Sequence, residues 1–141
     1  MSTANNAILK AHLEAENAHE LEAIMATYSD SPSIELNGSR IEGLAATCEF
    51  HRSFGFGGGE GSFSDVHVAE RRRYATHDAI VIEQTLTGRH TGAWRGIAAT
   101  GATISIAVCT VYAFEGGRLA RESVYLDEGR LQRTLSTAGQ R

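Results

Sequence analysis

The sequence predicts an α+β fold in which N-terminal helices pack on one face of a bent antiparallel sheet. Up to Gly61 the apolar residues recur mainly with the 3.6-residue period of helices, and after it they alternate with the two-residue period of strands. Helices followed by a run of strands are typical of the α+β class. The 141 residues contain no repeat or linker, so we expect a single domain over residues 1–141.

Two short amphipathic helices are expected at the N-terminal end. Leu9 and Leu13 begin one apolar stripe, and Asn17 marks a break after it because asparagine favours helix caps and turns. Pro32 is predicted to end the second helix, since the residue before a proline avoids the α conformation. The apolar stripe of this second helix has i, i+3, i+4, i+7 spacing and comprises Leu21, Ile24, Met25 and Tyr28.

A short strand, a third helix and a loop follow. Residues 34–36 alternate as a strand that turns at Asn37-Gly38, a dipeptide favoured in hairpins. A third helix is predicted from Leu44 to about Phe54. Residues 55–61 include five glycines, and we expect them to form a loop because glycine destabilises helices and strands alike.

Long strands are predicted for the second half of the chain. Residues 66–69, 80–87 and 104–112 alternate with a period of two, and the last run is apolar on both faces, as in a central strand. A loop over residues 87–96 is expected between the second and third of these strands. A final helix should run from Glu128 to Leu135, with the carboxylate of Asp127 as its N-cap.

Several short motifs in this second half resemble those of the SnoaL-like polyketide cyclases. These belong to a broad family of cone-shaped α+β domains that also holds ketosteroid isomerase, limonene epoxide hydrolase and nuclear transport factor two. The resemblance covers nearly the whole chain and implies a strongly bent sheet with a deep apolar pocket at its open end, the default ligand site. The motifs are Gly88-x-His90-x-Gly92, Ala99-Thr100-Gly101, Phe114-Glu115-Gly116-Gly117-Arg118-Leu119 and Glu122-x-x-Tyr125-x-Asp127.

The resemblance also implies that even-numbered strand positions face this pocket. Glu122 would then lie among apolar side chains, where desolvation raises the pKa of a carboxyl group and suits it to general acid–base catalysis. His12 could reach the pocket mouth and exchange protons with it. Alternatively, Glu122 is a surface carboxylate that pairs with Arg118 or Arg121. The residues expected to contact substrate are Gln84, Thr110, Tyr112, His90 and Trp94.

Two of these residues have plausible structural roles instead. His90 could order a tight connection by hydrogen bonding to backbone groups. Trp94 could cover the pocket or contact a second subunit, and it lacks the basic and aromatic neighbours that single-strand nucleic-acid binders use.

The catalytic residues of the related families do not transfer to this chain. The resemblance implies that the aspartate that handles the proton in the aldol-type cyclases falls at Val124, and that their glutamine and histidine fall at Val108 and Thr110. In the epoxide hydrolases, an arginine and an aspartate correspond to Gln84 and Leu86. The resemblance therefore implies the fold without either set of catalytic groups.

A possible metal-binding pattern occurs near the N-terminus. His12, Glu16 and His19 have i, i+4, i+7 spacing, and imidazole and carboxylate ligands suit zinc or iron. A helix break at Asn17 would move His19 off this face, and no second cluster is evident to complete the coordination sphere. We therefore expect neither a metal site nor a cofactor.

The sequence is compatible with three functions. The first is a cofactor-free cyclase, isomerase or lyase that acts on a small hydrophobic carbonyl compound. The second is a non-catalytic module for small-molecule binding or dimerisation, because one fold serves many functions. An epoxide-hydrolase-like enzyme is the third.

Composition and sequence patterns exclude some classes of binding partner. A net charge of −4 argues against a nucleic-acid partner, and no apolar stretch approaches the ~20 residues of a membrane span. The N-terminus lacks the features of a signal peptide, so we expect a cytoplasmic protein. An apolar outer sheet face formed by Val81, Val111 and Ala113 predicts a homodimer.

Overall fold

The computed structural model describes residues 2–139 and confirms the α+β class. The described elements are α1 (Thr3–Asn17), α2 (Leu21–Met25), β1 (Tyr28–Leu36), β2 (Ser39–Glu42), α3 (Leu44–Phe54), β3 (Phe63–Ala75), β4 (Ala79–His90), β5 (Thr103–Glu115), β6 (Arg118–Leu126) and α4 (Glu128–Gly139). Among them, no helix is long and apolar enough to cross a membrane.

The sheet has the order β2-β1-β6-β5-β4-β3 and leaves β2 and β3 at its edges. Four neighbouring pairs are antiparallel, as expected, whereas β1 and β6 run parallel. This pair departs from the prediction because α3 and four strands separate its members, and only such long connections allow parallel pairing. Shifts of register within β3–β4 and β5–β6 bend the sheet, which produces the cone.

Local patterns predicted several elements accurately. α3 occupies the predicted residues, and α4 begins at Glu128 with the Asp127 carboxylate accepting the N–H of Arg130 at 2.9 Å. The β1–β2 turn has positive φ at both Asn37 and Gly38, as a two-residue hairpin turn requires. These features depend on neighbouring residues alone, which explains why the sequence predicts them.

The second helix is shorter than predicted. α2 ends at Met25, and Tyr28 is the first residue of β1 rather than part of a helical stripe. Pro32 therefore does not end a helix but lies within β1, where the register to β6 shifts between Tyr28 and Ser33. An irregular stretch tolerates proline because no ladder hydrogen bond requires its missing N–H.

The loop after β4 begins later than predicted. β4 extends to His90, so the connection to β5 covers residues 91–102 rather than beginning at residue 87. The N–H of His90 donates to the carbonyl of Ala102 at 2.8 Å, and the carbonyl of His90 accepts the N–H of Gly101 at 2.8 Å. These bonds continue the ladder to the end of the strand.

The core lies between the helices and the concave face of the sheet. Even-numbered residues of β4 and β5 are buried there, as the resemblance implied, among them Ile80, Ile82, Ile104 and Ile106. α1 reaches across this face and buries Leu9 and His12. Because α1 lies deep against the sheet, its polar residues His12 and Glu16 are buried there.

Candidate active site

A cavity of about 280 Å³ opens between the helices and the concave face of the sheet. Much of its wall is apolar, including Phe50, Phe54, Phe56, Leu86, Trp94 and Val108. Polar side chains enter the wall from α1, α3 and the central strands, and they include Glu16, His51, Gln84, Tyr112 and Glu122. An apolar cavity with a few convergent polar groups is typical of a small-molecule site.

Glu122 lies inside the molecule, against this cavity, and is only 4% exposed. Its Oε1 lies 2.7 Å from Nε2 of His12 and accepts a short hydrogen bond from the hydroxyl of Tyr28. The surface position beside an arginine, which the sequence left open, is therefore wrong. β6 directs this side chain inward together with the buried Leu119.

The hydrogen-bonding role of each His12 ring nitrogen follows from its surroundings. The hydroxyl of Thr27 donates to the carbonyl of Ile24 at 2.7 Å, so it accepts from Nδ1–H of His12 at 2.9 Å. Nε2 then faces the carboxylates of Glu122 at 2.7 Å and Glu16 at 3.3 Å. Neither carboxylate lies along the direction required for a hydrogen bond to Nε2, so the attraction is electrostatic.

The cluster contains a second histidine, which sequence reasoning missed. Nδ1 of His51, on α3, donates to the carbonyl of Thr47 at 2.8 Å, and its Nε2 lies 3.3 Å from Oε2 of Glu16. His51 is buried and shares one face of α3 with Thr47. A histidine on the inner face of a predicted amphipathic helix was the available signal.

The predicted histidine–glutamate pattern on α1 is only partly realised. His12 and Glu16 share a face, but the helix ends at Asn17 and His19 turns away, with its Nε2 2.7 Å from the carbonyl of Val66. The expectation that no further residues join this pattern is wrong, because α3 and β6 supply them. We define the His–Glu cluster as His12, Glu16, His51 and Glu122, whose nitrogen and carboxylate atoms lie within 4.8 Å of one another.

Mutual attraction dominates the electrostatics of the His–Glu cluster. Burial alone would lower the pKa of His12, but attraction to Glu16 and Glu122 raises it to about 10. Burial would raise the pKa of Glu16, but His12 and then His51 lower it to about 2. Burial also lowers the pKa of His51, yet its contact with Glu16 gives a net increase. At neutral pH, His12 is thus an imidazolium beside the Glu16 carboxylate.

A string of hydrogen bonds crosses the sheet beside the His–Glu cluster. The hydroxyl of Thr110 donates to Oε1 of Gln84 at 3.0 Å, and Nε2 of Gln84 donates to the hydroxyl of Tyr112 at 2.9 Å. Burial and the nearby carboxylates raise the pKa of Tyr112, so its hydroxyl keeps its proton. Since this hydroxyl accepts from Gln84, its proton is available to a ligand in the cavity.

The two remaining predicted contacts differ in position. Trp94 lines the cavity, with the guanidinium of Arg95 5.5 Å from the centre of its ring. His90 is buried outside the cavity wall, and its Nδ1 accepts the N–H of Thr100 at 3.2 Å. The structure therefore gives His90 the ordering role in the loop rather than a contact with substrate.

Comparisons with known proteins agree with this architecture. The family model described as SnoaL-like polyketide cyclase matches residues 8–135. No curated protein gives a significant sequence match. Similar solved structures include a candidate SnoaL-like polyketide cyclase from Jannaschia sp. CCS1, with a TM-score of 0.84 and 15% identity over 95% of this chain and 92% of that chain.

Structures with other names share the fold as well. AclR from Streptomyces galilaeus, a candidate hydroxylase, has a TM-score of 0.78 and 19% identity over 94% of this chain and 96% of its own. An LEH-like epoxide hydrolase from M. tuberculosis has a TM-score of 0.74 and 21% identity over 97% of this chain and 92% of its own. At these identities the likeness shows a common fold, and any chemistry must be argued from the site.

Proposed function

Because this chain belongs to the SnoaL-like polyketide cyclase family, we propose that it is a cofactor-free acid–base enzyme acting on a small hydrophobic carbonyl compound in the cavity. The observation that carries this proposal is the buried contact of 2.7 Å between Glu122, which lines the cavity, and His12, which lies behind it and, contrary to expectation, does not reach the cavity. A carboxylate and an imidazole in contact are the groups that most often move protons in enzymes.

Glu122 has the best position to remove a proton from substrate. Its Oε1 is engaged by Tyr28 and His12, whereas no hydrogen bond within residues 2–139 engages its Oε2. In the proposed step, a C–H bond next to the substrate carbonyl breaks, the proton moves to Glu122, and the electron pair forms an enolate. If a C=C bond adjoins the enolate, return of the proton from Glu122 to the far carbon of the extended enolate gives an isomer. Attack of the enolate carbon on a second carbonyl instead closes a ring, and the alkoxide that forms takes the proton from Glu122.

Tyr112 supplies the complementary group. Its hydroxyl can donate to the carbonyl oxygen on which the negative charge develops, and such preorganised donors stabilise transition states strongly. Gln84 orients this hydroxyl, and Thr110 in turn orients Gln84. The proton acceptor and the hydrogen-bond donor thus line the same cavity.

One observation favours a non-catalytic binding module instead. Val124, at the position of the aspartate that handles the proton in the aldol-type cyclases, lines the cavity and cannot accept a proton. A protein that only binds its ligand needs no proton acceptor at this position. A test of the proposal must therefore separate binding from turnover.

Exchange of substrate protons with solvent provides this separation. We would incubate the protein with small bicyclic ketones, such as 1-tetralone, in deuterated buffer and follow loss of the α-proton signals by NMR. The wild type should accelerate exchange. Glu122→Gln keeps the side-chain shape but removes the proton acceptor, so exchange should fall by about 10²–10⁴-fold while binding changes little.

Glu115→Gln serves as the matched control, because Glu115 is exposed at the end of β5. This control should keep the wild-type rate. Ketone binding without accelerated exchange in the wild type would support the binding module. Exchange by Glu122→Gln within about threefold of wild type, far short of the general acid–base factor, would exclude Glu122 as the proton carrier.

A further inference from the structure

The His–Glu cluster also has the composition of a metal centre. We propose that His12, Glu16, His51 and Glu122 form a binding site for one divalent transition-metal cation, with zinc(II) as the preferred ion. Two imidazoles and two carboxylates suit zinc, whereas magnesium and calcium prefer oxygen ligands alone. This proposal goes beyond acid–base chemistry and does not depend on it.

The spacing of the ligand atoms supports this proposal. Zinc binds nitrogen and oxygen at about 2.0–2.1 Å, so neighbouring ligands of a tetrahedral site lie about 3.3 Å apart. Oε2 of Glu16 lies 3.3 Å from Nε2 of His12 and 3.3 Å from Nε2 of His51. The contact between His12 and Glu122 is shorter, at 2.7 Å, and all four ligand atoms lie within 4.8 Å of one another. Two of these separations match the tetrahedral spacing, and a bound ion would require His12 and Glu122 to move apart.

Nδ1 of each imidazole is hydrogen bonded, as the nitrogen that does not bind the metal is in known metal sites. Nδ1 of His12 donates to the hydroxyl of Thr27, and Nδ1 of His51 donates to the carbonyl of Thr47. Metal-bound histidines almost always donate their other N–H to such a partner, which fixes the tautomer and the ring orientation. Nε2 of His12 then faces Glu16 and Glu122, and Nε2 of His51 lies 3.3 Å from Oε2 of Glu16 and 3.4 Å from the hydroxyl of Tyr28.

An unpartnered buried atom provides independent support. His12 is 0% exposed, and its Nε2 has no hydrogen-bond partner. Buried polar atoms nearly always have such a partner, and here only electrostatic contacts with Glu122 at 2.7 Å and Glu16 at 3.3 Å take its place. A cation coordinated between the carboxylates would satisfy this nitrogen without a hydrogen bond.

Charge and access agree with this interpretation. The two buried carboxylates need two positive charges to balance them. Two imidazolium groups would supply these charges, and so would one divalent cation bound by neutral imidazoles. Glu16, His51 and Glu122 line the cavity, so a cation can enter from solvent by the same opening as a ligand. Bound zinc would occupy the proposed proton acceptor, and we therefore expect it to inhibit proton transfer.

Calorimetric titration with zinc sulfate tests the proposal without any substrate. The full-length protein, freed of metal with a chelator and dialysed, should bind one zinc ion per chain. Cobalt(II) should give the visible absorption bands of a four-coordinate site. Loss of an outer partner of a metal ligand weakens binding about 10–100-fold, so Glu16→Gln or His51→Asn should weaken zinc binding at least about tenfold.

A double variant, His67→Asn with His77→Asn, is the matched control because it removes two exposed imidazoles outside the His–Glu cluster. It should bind zinc like the wild type. Loss of binding in this control with retention in Glu16→Gln would show an adventitious ion only and overturn the proposal. Absence of zinc binding, or of four-coordinate cobalt bands, in the wild type would overturn it whether or not the cluster variants fold.

Glu16→Asp provides a variant that keeps the carboxylate, and it should retain more affinity than Glu16→Gln. Equal losses in both would contradict a ligand role for this residue. Failure of zinc binding would leave ketone exchange untouched, and failure of exchange would leave zinc binding untouched, so the two proposals can be judged separately.

Discussion

At the scale of single residues, the positions of Tyr28 and His51 set the environment of the carboxylates. Tyr28 donates to Glu122, and burial together with Glu122 raises the pKa of this tyrosine, so it remains a donor. His51, on α3, lies 3.3 Å from Glu16, on α1. Each carboxylate thus has more than one partner, which allows two acids to be buried side by side.

Removal of the Tyr112 hydroxyl should slow turnover more than it weakens binding. Tyr112→Phe deletes the proposed donor to the substrate oxygen, and loss of one such donor costs about 10²–10³-fold in rate. It also leaves Gln84 without its acceptor, which should destabilise the fold by about 1–3 kcal/mol. Deuterium exchange into the ketone and urea unfolding measure the two effects.

Tyr125→Phe provides the matched control, since Tyr125 is 48% exposed and does not line the cavity. Its exchange rate and stability should stay near the wild type. Undiminished exchange by a folded Tyr112→Phe protein would show that Tyr112 does not stabilise the enolate.

The stability of the metal-free protein should depend on pH through the His–Glu cluster. The folded pKa of His12 is raised from 6.5 to about 10, so its contribution is complete below pH 6.5 and disappears as the pH rises through 10. The folded pKa of Glu16 is lowered from 4.5 to about 2, so its contribution is complete above pH 4.5 and disappears as the pH falls through 2. These two contributions are therefore both complete between about pH 4.5 and 6.5.

Urea unfolding in the presence of a chelator would measure this dependence. The free energy of unfolding should decline from pH 7 to pH 10, and His12→Gln should flatten that decline. The other groups that face His12 are Glu122, His51, Tyr28 and Tyr112. A wild-type curve with the same alkaline slope as His12→Gln would exclude His12 as its source.

At the scale of elements, the end of α1 closes one side of the sheet. The side-chain amide of Asn17 donates to the carbonyl of Val68 at 3.0 Å and accepts its N–H at 2.9 Å. Val68 lies on β3, an edge strand, whose unpaired backbone groups would otherwise be free to pair with another chain. The same asparagine thus ends the helix and covers the edge.

Asn17→Ala should destabilise the protein by about 1–3 kcal/mol, because it leaves two backbone groups of β3 without partners. It should also increase aggregation at partial unfolding. Glu14→Ala is the control, since this exposed residue on α1 makes only a long ion pair with Lys10 at 3.9 Å. Equal unfolding midpoints for the two variants would contradict a stabilising role for Asn17.

At the scale of the whole molecule, we propose a homodimer through the outer face of the sheet. Val81, Val111 and Ala113 are half-buried on this face, and Tyr125 lies nearly half exposed on neighbouring β6. These residues are less buried than the inner-face residues of the same strands, such as Ile82 and Tyr112. An apolar face of this kind is commonly buried by a second copy of the chain.

Light scattering at micromolar concentration should show a dimer, and Val111→Arg should convert it to a monomer by placing a charge in the apolar patch. Thr103→Arg places the same charge at the exposed start of β5 and should leave the dimer intact. A wild-type monomer would contradict the proposal.

The sequence by itself determined the fold class and much of its inward-facing pattern. α3 and the start of α4 occur where predicted, and even-numbered residues of β4 and β5 are buried, among them Gln84, Thr110 and Tyr112. Periodicity and caps are properties of neighbouring residues, so they can be read before any tertiary contact is known. Which parity faces inward, and hence the candidacy of Glu122 and His12, came from the resemblance to the SnoaL-like cyclases, and the sequence did not exclude a surface position for Glu122.

Only the tertiary structure decided the composition of the site. Tyr28 was predicted in a helix but lies in β1, where its hydroxyl donates to Glu122, 94 residues later in the chain. His51 contacts Glu16 because α3 lies across from α1. The parallel pairing of β1 with β6 was likewise set by the tertiary structure. Local patterns say which face a residue occupies on its own element. They do not say which distant face it will meet, because that depends on how all the elements pack together.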